Sequence, residues 1–442
     1  MKGVRTLKPV KIGLLGLGTV GGGTVNVLRR NGEEIARRAG RAIEIARVFT
    51  RSPDKPRICD LDGIEVVTDP WQVVNDPDIA IVAELIGGTD IARELVLGAI
   101  DRGKHVVTAN KALIALHGNE VFARASEKGV MVAFEAAVAG GIPIIKVLRE
   151  GLAGNRIEWL AGIINGTGNF ILTAMRDQGR DFADVLAEAQ RLGYAEADPT
   201  FDVEGVDAAH KLTILAAIAF GIPLQFEHVY TEGITRVTQE DVRYAEELGY
   251  RIKHLGIARR RADGIELRVH PCLVPARRLL ANVDGVMNAV VVKGDAVGPT
   301  LYYGPGAGAE PTASAVVADL VDVVRTLTAD PENRVPHLAF QPDALADLPI
   351  LPMAAVETAY YLRLRVADRP GVLAEVARIL ADESISIEAV IQKEPRPGQT
   401  DVPLIFLTHR VPERALDAAL ARIEALEAVK ATPYRIRLET LE

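Results

Sequence analysis

Cysteine is almost missing from this chain: Cys59 and Cys272 are the only two in 442 residues, far apart and in no CxxC or zinc-type spacing. That excludes a disulfide framework and leads us to expect a reducing, cytoplasmic setting. Basic residues are outnumbered, 51 Lys and Arg against 59 Asp and Glu, which argues against a broad nucleic-acid-binding surface. Long apolar runs are missing too. The longest, LTILAAIAFGIPLQF (212–226), is too short for a bilayer and is broken by Gly221 and Pro223. The opening MKGVRTLKPVKIGLLGLGTV has the basic start and apolar run of a signal peptide. Its spaced glycines and lack of an A-x-A-like site speak against secretion. No membrane association is expected, and there is no internal repeat or low-complexity tract.

What is present suits an ordinary multidomain soluble globular protein. Nearly half of the residues are apolar and a quarter are charged, and the length allows two to four domains. From residue 10 to 135, short apolar strands (VKIGLLG, IEIARVFT, IAIVAELI, HVVTA, VMVAFE) alternate with amphipathic stretches, the pattern of a parallel doubly wound sheet. Residues 136 to about 310 read as mixed α+β. PTASAVVADLVDVVRTLT (311–328) reads as a helix that could pack back on the first domain. A Pro- and Asp-rich stretch then reads as a linker. The tail, 358–442, has the order βαββαβ, a ferredoxin-like unit.

The first strand runs into Gly16-Leu17-Gly18-Thr19-Val20-Gly21 and then into a helix, which is the setting a GxGxxG fingerprint requires. Glycines let the backbone approach a pyrophosphate, which rests on the helix N-terminus. A Rossmann-type dinucleotide-binding domain follows. The second strand ends without an acid and is followed by Arg51, with Lys55 and Arg57 close behind. An arginine there suits a 2′-phosphate, so NADP is favoured over NAD.

Asn110 and Lys111 stand at the C-terminal end of the strand HVVTA, where ligands bind in open α/β sheets. Lys111 opposes the dipole of the helix it opens, which favours a role toward cofactor or substrate over a plain surface role. EAAVAGGIPIIK (135–146) reads as a tight-packing crossover or as a loop whose carbonyls face a cation; its small residues lean to the former. The most unusual stretch is AEADPTFDVEGVDAAHK (195–211), five acids and one lysine before an apolar helix. Asp202 is a candidate N-cap for a helix starting near Val203. Asp207 and Lys211 lie at i and i+4 on one face. They are either a surface pair or functional groups at the mouth of a buried helix. His210 points to another face and reads as a packing residue.

At these residues the chain resembles the homoserine dehydrogenase family. Its signature runs here from Ala189 through Gly193-Tyr194-Ala195, Asp198-Pro199, Asp202, Gly205 and Asp207 to Lys211. GLGTVG, TANKALIA, EAAVAGGIPIIK and INGTGNFILT (164–173) also match that family. The resemblance implies NAD(P)-dependent interconversion of L-homoserine and L-aspartate 4-semialdehyde in threonine, methionine and isoleucine biosynthesis. It implies Lys211 as proton donor and acceptor, with Asp207, Glu196 and Lys111 at the substrate. Gly16, Leu17, Gly18, Thr19, Val20, Gly21, Arg51, Lys111 and Gly306 would contact the cofactor. Glu135, Val138, Gly140 and Ile142 would form a monovalent-cation site for Na+, built largely from backbone carbonyls. The turn Asp368-Arg369-Pro370-Gly371-Val372-Leu373 resembles that of an ACT domain, which implies feedback control, with L-threonine the expected effector. The expected division is 1–135 for the dinucleotide, completed by helix 311–328, and 136–310 for substrate binding and dimerisation. A linker at 329–357 and a regulatory ACT domain at 358–442 follow, in a homodimer or homotetramer.

Overall fold

The computed structural model describes residues 8–327, 334–393 and 401–441. Contacts divide the chain into two compact units. One comprises Met1–Leu160, Asp207–Val229 and Val286–Leu348; the other comprises Ala161–Val206, Tyr230–Gly285 and Pro349–Glu442.

The first unit is built on six parallel strands: β1 (Val10–Leu15), β2 (Ile43–Phe49), β3 (Glu65–Val67), β4 (Ile81–Glu84), β5 (His105–Thr108) and β6 (Val132–Ala133). Their order is β3-β2-β1-β4-β5-β6, the doubly wound Rossmann arrangement with its switch point between β1 and β4. Helices α1 (Thr19–Arg30), α2 (Lys111–Glu127), α3 (Val206–Phe220) and α4 (Ala309–Thr326) belong to this unit. Ile12, Leu14, Val25 and Leu28 share one aliphatic core with Val316, Leu320 and Val323 of α4. Helix α4 thus seals a core that the first 135 residues begin; residue 328 of the expected helix lies outside the described residues.

One expectation changes here. The expected strand VMVAFE pairs only at Val132 and Ala133, because the chain turns into a 3-10 segment at Glu135–Ala137. The Glu135 amide leaves the ladder and donates to Asp319 Oδ2 at 2.8 Å. Strand β3, with three residues, is too short to show a period in the sequence. Of the expected linker, 329–333 lie outside the described residues. The rest holds two 3-10 turns, Pro342–Ala344 and Met353–Ala355.

In the second unit a sheet runs through β7 (Tyr250–Arg260), β8 (Ile265–Pro275), β9 (Glu357–Ala367), β10 (Ile387–Gln392), β11 (Asp401–Thr408) and β12 (Val429–Leu438), in the order β7-β8-β12-β9-β11-β10. Helices α5 (Val372–Asp382) and α6 (Glu413–Glu424) complete the βαββαβ order of the tail. A buried core from Tyr360 to Ala428 lies within it. The tail continues the sheet through Cys272 paired with Arg437, so it shares hydrogen bonding with β8.

Candidate functional site

Strand β1 ends in a turn that only glycine fits well. Gly16 has φ of 108°, and a β-carbon there would lie 2.7 Å from the Leu85 carbonyl oxygen. Gly18 is the N-cap of α1, has open space above it, and is followed by a first turn without acids. Free amides at an uncapped helix start favour an anion. Arg57, which the sequence singled out only as one of a basic trio, folds over this turn. Its Nη1 donates to the Leu17 carbonyl at 2.6 Å and its Nη2 to Thr50 Oγ1 at 2.8 Å. Arg51 and Lys55 are exposed beyond the end of β2. The arrangement offers a backbone cradle for phosphate with cations beside it.

Strand β5 leads into α2 through Asn110, whose side-chain oxygen accepts from the Leu113 amide at 3.1 Å. This N-cap leaves Lys111 as the first residue of the helix. Lys111 Nζ lies 3.0 Å from Asp207 Oδ1, and Lys211 Nζ donates to Asp207 Oδ2 at 2.7 Å. One carboxylate, 3% exposed, therefore holds two ammonium groups from two helices. The Lys111 side chain remains one-third exposed. From Leu212 to Phe220 every residue of α3 is buried, so the charged groups cluster at its polar first turns. His210 is buried against Phe226, its ring centroid 4.3 Å away. Burial pushes its pKa down to about 4, which keeps the imidazole neutral near pH 7.

The 135–142 loop meets the end of the hairpin formed by Met287–Gly294 and Gly298–Pro305: the Gly141 amide donates to the Pro305 carbonyl at 2.9 Å. A β-carbon on Gly140 would sit 2.9 Å from the Gly306 carbonyl oxygen, so Gly140 and Gly306 adjoin. Glu135 is buried, and its two carboxylate oxygens accept from the Ile145 and Lys146 amides at 2.9 and 2.8 Å. Burial raises its pKa to about 7. Since those amides occupy the carboxylate, a cation here would rely on carbonyl oxygens, hard donors of the kind an alkali ion accepts. Among the described residues no group of three or more His, Cys, Asp or Glu side chains could hold a metal ion.

The remaining signature residues lie in the second unit. Glu196 is exposed, and its carbonyl accepts from Gln190 Nε2 at 3.0 Å. Asp198 caps the Thr200 amide at 3.1 Å. Asp202 is not the N-cap expected of it. The helix breaks at Gly205, with φ of 86°, into a short Thr200–Val203 turn and α3, which leaves Asp202 inside the turn. There it accepts from Asn165 Nδ2 at 2.7 Å. Glu204 accepts from Thr235 Oγ1 at 3.0 Å. In the tail, Gly371 has φ of 96° at the start of α5, and Asp368–Leu373 line a cavity of about 420 Å³ with Gln392 and Leu404.

Comparison with known proteins agrees across the chain's length. Residues 143–321 match the model for homoserine dehydrogenase, 16–135 that for the homoserine dehydrogenase NAD binding domain, and 360–428 that for the ACT domain. The homoserine dehydrogenase of Pseudomonas aeruginosa is 67% identical over 98% of this chain and 100% of its own length. That of Bacillus subtilis is 38% identical over 98% and 99%. The crystal structure of a homoserine dehydrogenase from Thiobacillus denitrificans superposes with a TM-score of 0.95, at 70% identity over 99% of this chain and 100% of that one. A hyperthermophilic archaeal homoserine dehydrogenase in complex with NADPH superposes with a TM-score of 0.62, at 27% identity over 72% and 98%. Among the described residues no helix is long and apolar enough to cross a membrane. With an NAD-binding domain, a homoserine dehydrogenase domain and an ACT domain in one chain, this protein belongs to the homoserine dehydrogenase family of oxidoreductases acting on CH–OH groups.

Proposed function

We propose that Lys211 is the proton donor and acceptor in the interconversion of L-homoserine and L-aspartate 4-semialdehyde. The observation that carries this reading is the shared Asp207 carboxylate, bonded to Lys211 at 2.7 Å and to Lys111 at 3.0 Å. When bound, the nicotinamide supplies or accepts the hydride at the reacting carbon. Toward homoserine, Lys211 gives an ammonium proton to the aldehyde oxygen; toward the aldehyde, its neutral amine takes the hydroxyl proton. Asp207 keeps Lys211 oriented in both states. Lys111 adds positive charge beside Asp207, and Glu196 keeps the substrate role that its place in the family signature implies.

Gly16 to Gly21 cradle the pyrophosphate, Gly306 contacts the cofactor, and Arg51 favours NADP over NAD. The open Gly18 amide face and its neighbouring cations fit a phosphorylated dinucleotide. A sodium-like cation fits the carbonyls of Val138, Gly140 and Ile142 beside Glu135. The tail is a feedback domain for L-threonine, at the cavity around Asp368–Leu373. Our functional map is 1–135 with helix 311–328 for the dinucleotide, 136–310 for substrate binding and dimerisation, 329–357 as linker and 358–442 as the regulatory domain. The enzyme works as a homodimer or homotetramer in the cytoplasm, in threonine, methionine and isoleucine biosynthesis. Purified protein with L-homoserine and NADP or NAD tests the reading by the appearance of reduced cofactor. No reduction with either cofactor would overturn it.

A further inference from the structure

Glu84 ends β4 in an otherwise apolar run and is completely buried, yet the proton-transfer reading gives it no part. Its carboxylate accepts from the Thr108 hydroxyl at 2.6 Å and from the amides of Ile86 and Gly87 at 3.0 and 3.1 Å. Gly87 and Gly88, with φ of 72° and 76°, form a tight left-handed turn that closes over the carboxylate. The Thr108 oxygen accepts in turn from the Asn110 amide at 3.0 Å. Asn110 donates its side-chain amide to the Gly88 carbonyl at 2.6 Å and caps α2, whose first residue is Lys111. A continuous chain of hydrogen bonds thus joins a buried acid to the backbone that carries one of the two lysines on Asp207.

Burying a carboxylate costs several kcal/mol unless its acceptors are filled, and an apolar side chain would pack the sheet at lower cost. Val82 and Ala83, just before it, do so. What Glu84 adds is a fixed shape for two loops at the C-terminal ends of β4 and β5, beside the switch point. We propose that Glu84, acting through Thr108 and Asn110, is a positioning residue for the reaction. It sets the 86–88 turn and the direction in which Lys111 leaves the sheet. The proposal rests on reading Lys111, Asp207 and Lys211 as the reacting cluster.

The test uses the full-length chain and the variants Glu84→Gln, Thr108→Val, Thr108→Ser and Lys111→Met. Glu84→Gln keeps the volume and an oxygen for the two amides, but sets a second donor against Thr108. Expected are a fall in kcat of about tenfold or more for Glu84→Gln and Thr108→Val, a smaller change in NADPH affinity, and a shifted pH profile of kcat. Thr108→Ser, which keeps the hydroxyl, should return kcat to within about twofold of wild type. Wild-type kcat and pH profile in Glu84→Gln would overturn the proposal. So would equal losses in Thr108→Ser and Thr108→Val, or losses that follow thermal stability with the pH profile unmoved. Lys111→Met separates the two layers. If it retains wild-type kcat the cluster reading itself fails; if it is impaired while Glu84→Gln is not, only the role of Glu84 fails.

Discussion

The Asp207 carboxylate accepts a hydrogen bond from Lys211 at 2.7 Å, one helical turn along the same buried helix. Its other oxygen lies 3.0 Å from Lys111, so removing the charge would leave two ammonium groups facing each other. Asp207→Asn should therefore lower kcat by about a hundredfold and cost on the order of 1–3 kcal/mol of stability. Steady-state kinetics and thermal unfolding check both. A variant with unchanged kcat would reduce the pair to a structural contact.

Cofactor choice can be separated from cofactor binding. Arg51 is exposed beyond β2, whereas Arg57 is tied to the Leu17 carbonyl at 2.6 Å. Arg51→Ala should weaken NADPH by about tenfold and leave NADH nearly unchanged, since only NADPH carries the 2′-phosphate. Arg57→Ala should weaken both, because it loosens the glycine turn. Fluorescence titration of reduced cofactor distinguishes them, and equal effects of Arg51→Ala on the two would contradict the assignment.

Glu135 and Asp319 make stability depend on pH. Burial lifts Glu135 to about 7, and burial together with the Glu135 charge pushes Asp319 well above the usual carboxylate range. Unfolded, both groups ionise near about pH 4, so above that point the folded chain holds more protons and its stability falls as pH rises. For Glu135 the loss is complete above about pH 7 and is on the order of 3–4 kcal/mol. Asp319→Asn should raise the unfolding temperature at about pH 8 and do so less at about pH 5. Sodium chloride should stabilise the wild type more than choline chloride at the higher pH. Equal effects of the two salts would argue against a cation at this loop.

Feedback is best tested by a point change, because β12 pairs with β8 and truncation would strip a strand from the sheet. Asp368 lines the tail's cavity. Asp368→Ala should abolish inhibition by L-threonine and leave kcat without threonine within about twofold of wild type. A wild type insensitive to threonine would contradict the choice of effector.

Local signals made much of this legible in the amino-acid sequence. The glycine turn announces itself because its neighbours are a strand and a helix, and Asp207 and Lys211 stand out by their spacing on an apolar helix. What stayed hidden depends on distant chain or on a break in periodicity. Lys111 reaches Asp207 from another helix, a contact no spacing encodes. Asp202 has the spacing of an N-cap only in a continuous helix, and Gly205 splits that helix. Glu84 is masked by the apolar strand around it, although a lone acid in such a run is itself the signal. Arg57 sits in a loop where neither period nor motif marks which cation turns inward.

The most direct test of the central claim is the rate of cofactor reduction by Lys211→Ala with L-homoserine at saturating NADP, measured beside its NADP affinity. Loss of the proton-transfer group predicts a fall in kcat of about a thousandfold or more, with the NADP dissociation constant within about threefold of wild type. A Lys211→Ala variant with wild-type kcat would contradict the account and move proton transfer to Lys111 or to water.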